Sequence, residues 1–228
     1  MKINSEMHFD VIDSTSNYAK TNAHNLILPA LITADEQTNG RGRRGNSFFS
    51  PKGTGLYMTL VFEAPDNCNL ITPAVAVAVC NTLENYGLSP KIKWVNDLFL
   101  NNKKICGILT EIISSESKKI LSVGIGIKLT TVEFPSDIPV AGSINKDIDK
   151  QKLSAEISER ILETVCSDNI VEEYRKRLFI IGKTVSYLKN NKEYTASVVG
   201  INENCNLIVK LENGTEDILS SGEISIKI

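Results

Sequence analysis

One stretch of this chain restricts its fold more than any other. From about residue 69 to 86 the sequence reads as a helix, and Ala74-Val75-Ala76-Val77-Ala78-Val79 make it apolar nearly all round. A helix at the surface keeps a polar face; one without such a face must lie deep. The rest of the chain has to cover it, and strand candidates are available. Residues 7–13 alternate as a strand does, Leu31 to Ala34 is a short apolar run, and Gly55 to Glu63 and 119–129 are longer ones. Lys91 to Val95 enters a tight turn at Asn96-Asp97; Leu98-Phe99-Leu100 then leads through Asn101-Asn102 into Lys103 to Glu111. Two short strands around Asn-Asn make a hairpin, because asparagine tolerates positive φ. Ser14-Thr15-Ser16-Asn17 supplies N-caps for a helix over about 16–24, and further helices are expected over 151–166 and 169–178. Strands and helices without strict alternation indicate an α+β fold, a mixed β-sheet with packed helices.

Near Ile181-Gly182 the pattern changes. Short strands now recur between the turn signals Lys189-Asn190-Asn191, Asn202-Glu203-Asn204 and Glu212-Asn213-Gly214, which suggests a small appended β-barrel. The expected organisation is a main domain over 1–180 and a small β-domain over 181–228, which suits 228 residues.

A net charge of −2 gives no global sign of a nucleic-acid or membrane-surface binder, so any anion binding must come from a local cluster. The five cysteines are widely spaced with no C-x-x-C pair, and only His8 and His24 could supplement them. That argues against zinc and disulfides and for reduced thiols in a cytoplasmic protein. The polar opening Met1-Lys2-Ile3-Asn4 is unlike a signal peptide, and no apolar run is long enough to span a membrane.

Two local clusters carry chemistry. In Gly40-Arg41-Gly42-Arg43-Arg44-Gly45, three guanidinium groups stand between glycines that let the backbone approach a ligand. Their planar forks suit carboxylate or phosphate, and their mutual repulsion predicts a long loop over 36–54 that is mobile until an anion orders it. A solvated loop or an RNA-binding arginine-glycine segment are the plain alternatives; the non-basic surroundings count against RNA. The second cluster is Lys93-Trp94-Val95-Asn96-Asp97 with Lys104. A hairpin over 98–103 returns Lys104 to the neighbourhood of Asn96 and Asp97, where a lysine can neutralise a carboxylate and a phosphate together. The plain alternative is a surface hairpin with a solvated Lys103-Lys104 pair. Gly107 can let a ligand approach the backbone.

Together these segments resemble the biotin protein ligases, also called biotin–acetyl-CoA-carboxylase ligases. The resemblance is carried by Asp13-Ser14-Thr15-Ser16-Asn17, Gln37 through Gly45, Ser50-Pro51, Gly55-Leu56-Tyr57, Lys93 through Asp97, Lys104-Ile105-Cys106-Gly107-Ile108 and Gly222-Glu223-Ile224-Ser225. It implies a biotin/lipoyl ligase-like catalytic domain followed by an SH3-like barrel. The implied reaction has two steps. Biotin and ATP, with Mg²⁺, give biotinyl-5′-AMP and pyrophosphate; a lysine of a biotin carboxyl carrier domain then takes the biotin and releases AMP. The family's roles fall on Ser14, Thr15 and Gln37 for the ureido group and pocket floor, with Ser16 beside them. Arg41, Gly42 and Arg43 belong to the closing loop, and Lys104 bridges the biotin carboxylate and α-phosphate. Asn96 lies on the nucleotide side, Trp94 and Gly107 join the binding set, and Asp97 holds the metal or the acceptor lysine.

The chain departs from the family at three positions. Val95 stands for the usual proline, Phe48 for a tryptophan, and Lys128 for an asparagine near the nucleotide, where it would meet phosphate or solvent. Longer members carry an N-terminal DNA-binding domain for which this chain has no room, so no DNA binding is expected. Edge strands of a mixed sheet leave a homodimer open. The competing functions are a lipoate or octanoate ligase of the same superfamily and a non-catalytic biotin-sensing module. Retention of Lys104, Arg41 and Arg43 counts against the latter.

Overall fold

The computed structural model of the chain describes residues 2–65, 68–114, 119–190, 192–220 and 224–226. Asn191, Gly222 and Glu223, singled out in the sequence, lie outside them.

The main unit runs β1 (Ser5–Ile12), α1 (Thr15–Asn22), β2 (Ala30–Gln37), β3 (Gly55–Glu63), α2 (Ile71–Asn85), β4 (Lys91–Lys93), β5 (Asp97–Leu100), β6 (Lys103–Ser114), β7 (Lys119–Lys128), α3 (Lys150–Thr164) and α4 (Ile170–Arg177). Its strands form one sheet in the order β1-β2-β3-β7-β6-β5-β4. Only β1 and β2 run parallel; every other pair is antiparallel, so the sheet is mixed as expected. The β5–β6 turn places Asn101 at φ 49° and Asn102 at φ 63°, the left-handed conformation their side chains tolerate.

Neighbouring residues on a strand face opposite ways, and here they feed separate cores. Leu31 and Leu60 join the large cluster containing α2, whereas Ile32 and Val61 join a smaller one beneath α1. Helix α2 packs against β5 and β6 on one side and against α3 and α4 on others. Ala74 through Cys80 are each at most 2% exposed, which explains why the helix needs no polar stripe.

The last strands, β8 (Thr184–Lys189), β9 (Lys192–Ile201), β10 (Leu207–Leu211), β11 (Glu216–Leu219) and β12 (Ile224–Ile226), form an all-antiparallel sheet ordered β11-β10-β9-β8-β12. This is the strand set expected for the small SH3-like unit. Its Val185, Val198, Leu207 and Val209 belong to the same buried cluster as Ile92, Trp94 and Leu178 of the main unit. Trp94 is 3% exposed, and its Nε1 donates to the carbonyl of Cys205 at 2.9 Å. Trp94→Phe keeps most of the apolar contact but leaves that carbonyl unpaired. Urea unfolding should register a loss of about 1–3 kcal/mol, the cost of a buried orphaned acceptor; an unchanged midpoint would show that the bond contributes nothing.

Candidate active site

The arginine-glycine segment is more ordered than its charge suggests. Strand β2 extends to Gln37, and the segment after it folds into a small hairpin. Phe48 N donates to Gly40 O and Gly42 N to Asn46 O, both at 2.7 Å, and Arg41 bridges Ser47. Arg44 at φ 54° and Gly45 at φ 81° make the turn. The repulsion anticipated from the sequence is relieved by partners elsewhere in the chain. Arg41 forms a two-pronged pair with Glu111 at 3.0 and 3.1 Å, and Arg43 donates to Asn96 Oδ1 at 3.1 Å.

This hairpin stands beside a cavity of about 300 Å³ enclosed by the start of α1, the middle of β6 and β7, the β4–β5 turn and β12. Its polar end is a continuous network. Thr15 donates through both N and Oγ1 to Gln37 Oε1 at 2.9 and 3.1 Å, and Gln37 Nε2 donates to Ser50 Oγ at 2.9 Å. Thr59 Oγ1 donates to Thr15 Oγ1 at 2.8 Å and lies 3.3 Å from Ser16 Oγ. Ser14 is placed differently. It is fully buried, its Oγ accepts from Asn17 N as the N-cap of α1, and it does not line the cavity. The helix start, expected to spend several side chains on ligand, spends this one on capping.

The charged end comes from the β4–β5 turn and β6. A register shift between Leu98 and Phe99 sets Phe99 opposite Lys104 and Asp97 opposite Gly107. Lys104 Nζ then meets Asp97 Oδ1 at 2.7 Å, with side chains 30% and 20% exposed. Asn96 Nδ2 donates to Ile108 O at 2.8 Å, which leaves its Oδ1 to Arg43. Trp94, Asn96, Asp97, Lys104, Gly107, Arg41, Gly42, Arg43, Thr15, Ser16 and Gln37 all border this one cavity. Two clusters far apart in sequence are thus one place.

The floor is glycine. Gly107 and Gly126 are cross-strand partners on β6 and β7, and the Phe48 ring lies on them. A Cβ built on Gly126 would collide with Phe48 Cε1, and one on Gly107 would come within 3.1 Å of Cε2. Sequence reading missed Met58, Gly124 and Ile224 on the lining and Thr59 and Glu111 behind it. Glu111 gave no local signal, because its partner Arg41 lies 70 residues away.

Of the two places open to Lys128, the structure removes solvent: the residue is 3% exposed and off the cavity lining, its Nζ donates to Phe49 O at 2.8 Å, and it lies 4.4 Å from the Phe48 ring centroid. Burial, and then the nearby Lys104 charge, push it down from the ordinary lysine value of 10.5 to about 8. Between those two values the unfolded chain holds a proton the folded one has lost, so this group makes stability rise with pH across that window. Against Lys128→Met, the wild type should gain about 2 kcal/mol between about pH 8 and 10 in chemical unfolding. A flat difference would mean that the lysine is not desolvated.

Known proteins resemble this chain in sequence and fold. The Biotin/lipoate A/B protein ligase family matches residues 8–128, and the Biotin protein ligase C terminal domain matches 180–227. The bifunctional ligase/repressor BirA of Bacillus subtilis is 29% identical over 238 residues, covering 94% of this chain and 72% of that protein. The biotin--[acetyl-CoA-carboxylase] ligase of Paracoccus denitrificans is 35% identical over 124 residues, 51% of each chain. A biotin protein ligase from Aquifex aeolicus, solved in complex with biotin and ATP, superposes with a TM-score of 0.83 at 26% identity, covering 99% of both chains. The first match takes in all of the sheet but the first three residues of β1, with the arginine-glycine hairpin and the Lys104 strand, more than half of the 228 residues, and the chain belongs to the biotin/lipoate A/B protein ligase family.

Proposed function

We propose that this protein activates biotin with ATP and transfers it to a lysine of a biotin carboxyl carrier domain. One observation carries the reading: Lys104 and the Arg41–Arg43 hairpin border the same small cavity, whose other end is uncharged and polar. Adenylation needs that polarity of charge. A carboxylate must approach an α-phosphate, so two anions are brought together and cations must offset their repulsion. Lys104 serves the carboxylate and the phosphate, and Arg41 and Arg43 close over them. Thr15, Ser16 and Gln37 offer donors and acceptors to a neutral ureido ring. Exclusion of water by Phe48 and the hairpin protects the mixed anhydride until an amine arrives.

Mg²⁺ enters with ATP and supplies charge neutralisation on the triphosphate. Among the described residues Asp97 is the carboxylate on the lining, so it is the residue that would hold the ion, sharing its charge with Lys104. We divide the chain into a catalytic domain over 1–180 and a carrier- or nucleotide-contacting domain over 181–228; the position of Ile224 and Ser225 on the cavity supports that division of labour. A cytoplasmic setting fits the reduced cysteines. Among the described residues, no helix is long and apolar enough to cross a membrane.

The test is pyrophosphate release from MgATP with biotin or lipoate as the acid. Release with biotin alone is expected; release with lipoate alone would place the chain in the other branch of its family, and tight biotin binding without release would make it a sensor.

A further inference from the structure

Lys128 ends β7 opposite Gly55 of β3, in the floor strand of the cavity but turned away from its lining. Its ammonium sits among three aromatic rings, 4.4 Å from the centroid of Phe48 and 5.4 Å from those of Phe49 and Phe134. Its hydrogen bond to Phe49 O is 2.8 Å. Among the described residues no carboxylate pairs with it. Burying a lysine without a counter-ion is costly, and here electron-rich ring faces and a carbonyl acceptor offset part of that cost. The groups it holds are not scattered. Phe48 and Phe49 are the outgoing stem of the Arg41–Arg43 hairpin, and the Phe48 ring covers Gly107 and Gly126 on the cavity floor. Phe134 comes from the segment after β7, whose Ile144 N and Ser143 Oγ bond the Lys128 carbonyl at 3.0 and 3.4 Å.

We infer that Lys128 is a positioning residue for adenylation: its ammonium clamps the stem of the arginine-glycine hairpin to the floor strand, and through Phe48 sets the depth of the acid pocket. The kinetic consequence rests on the biotin-ligase reading; the mechanical one does not. Without the clamp the hairpin opens more often, so Arg41 and Arg43 spend less time over the ligand. That weakens binding more than it slows the bound complex, and it exposes the arginine peptide bonds.

Two measurements on the full chain read this out, with Lys128→Met and Lys128→Arg compared to wild type and melting curves confirming folding. Tryptic cleavage at residues 41–44, followed by mass spectrometry at neutral pH, should be about fivefold faster in Lys128→Met, the loss of roughly one charged contact. The KM for biotin should rise by a similar, about fivefold factor with kcat within about twofold. Lys128→Arg should restore both, because a guanidinium also stacks on rings and donates to a carbonyl. If Lys128→Met does not fold, Lys128→Gln carries the same comparison. Unchanged cleavage in the neutral variant overturns the clamp, and so does a change confined to the KM for MgATP, which would make the ammonium a nucleotide contact. Should the wild type release no pyrophosphate with biotin, Lys128-dependent protection still supports the clamp while the ligase reading falls.

Discussion

Lys104→Ala should lower biotin-dependent pyrophosphate release by about 10²- to 10³-fold, the usual consequence of removing one pre-positioned charge from a developing transition state. The residue is fixed before any ligand arrives. Its backbone N donates to Val140 O at 2.8 Å and its carbonyl accepts from Gly142 N at 2.9 Å, so the start of β6 is gripped on the edge opposite β5, ahead of its pairing with β7. The ammonium is aimed by Asp97 at 2.7 Å and borders the cavity. Alanine removes the charge without opening the core, since the side chain is 30% exposed and Ile105 and Cys106 beside it do the packing. The melting midpoint should therefore move by only a few degrees. Retained activity in a folded Lys104→Ala protein would remove Lys104 from the reaction, and loss of folding would make it structural.

Gly126→Val is the second large effect. A Cβ at this position collides with the Phe48 ring, and a branched side chain also occupies the floor on which that ring rests. Phe48 must leave, and the pocket becomes shallower. Biotin-dependent turnover should fall about a hundredfold, the scale on which misplacement of about 1 Å acts in catalysis, with the loss appearing as weakened biotin binding in calorimetry. The strand itself should tolerate the change, because valine suits a β-conformation. Normal biotin affinity in Gly126→Val would mean that the acid does not lie against the Gly107–Gly126 pair.

The helix that had to be buried, the Asn101-Asn102 hairpin and the mixed sheet were legible because each is written in local pattern: all-round apolarity, turn chemistry and alternation. The site was legible for a different reason. Its residues are types whose charge or donor set is hard to use otherwise, and Arg41, Arg43 and Lys104 do meet at one cavity. What stayed hidden depends on partners distant in sequence. The order of the arginine hairpin follows from Glu111 and Asn96, neither of which carries a mark that would pair it with an arginine. Ser14 sits in a run of four capping candidates, and only the first turn of α1 decides that it is the cap. Lys128 reads as a polar residue ending an apolar strand; that it turns among Phe48, Phe49 and Phe134 requires the fold.

The most direct test of the account is the complete transfer. The protein, biotin, MgATP and an isolated biotin carboxyl carrier domain are combined, and the carrier is examined by intact-mass and peptide mass spectrometry. The expected result is one biotin on one carrier lysine, dependent on ATP and absent with Lys104→Ala. A carrier left unmodified by active wild-type protein, with lipoate attached to a lipoyl domain under the same conditions, would contradict it.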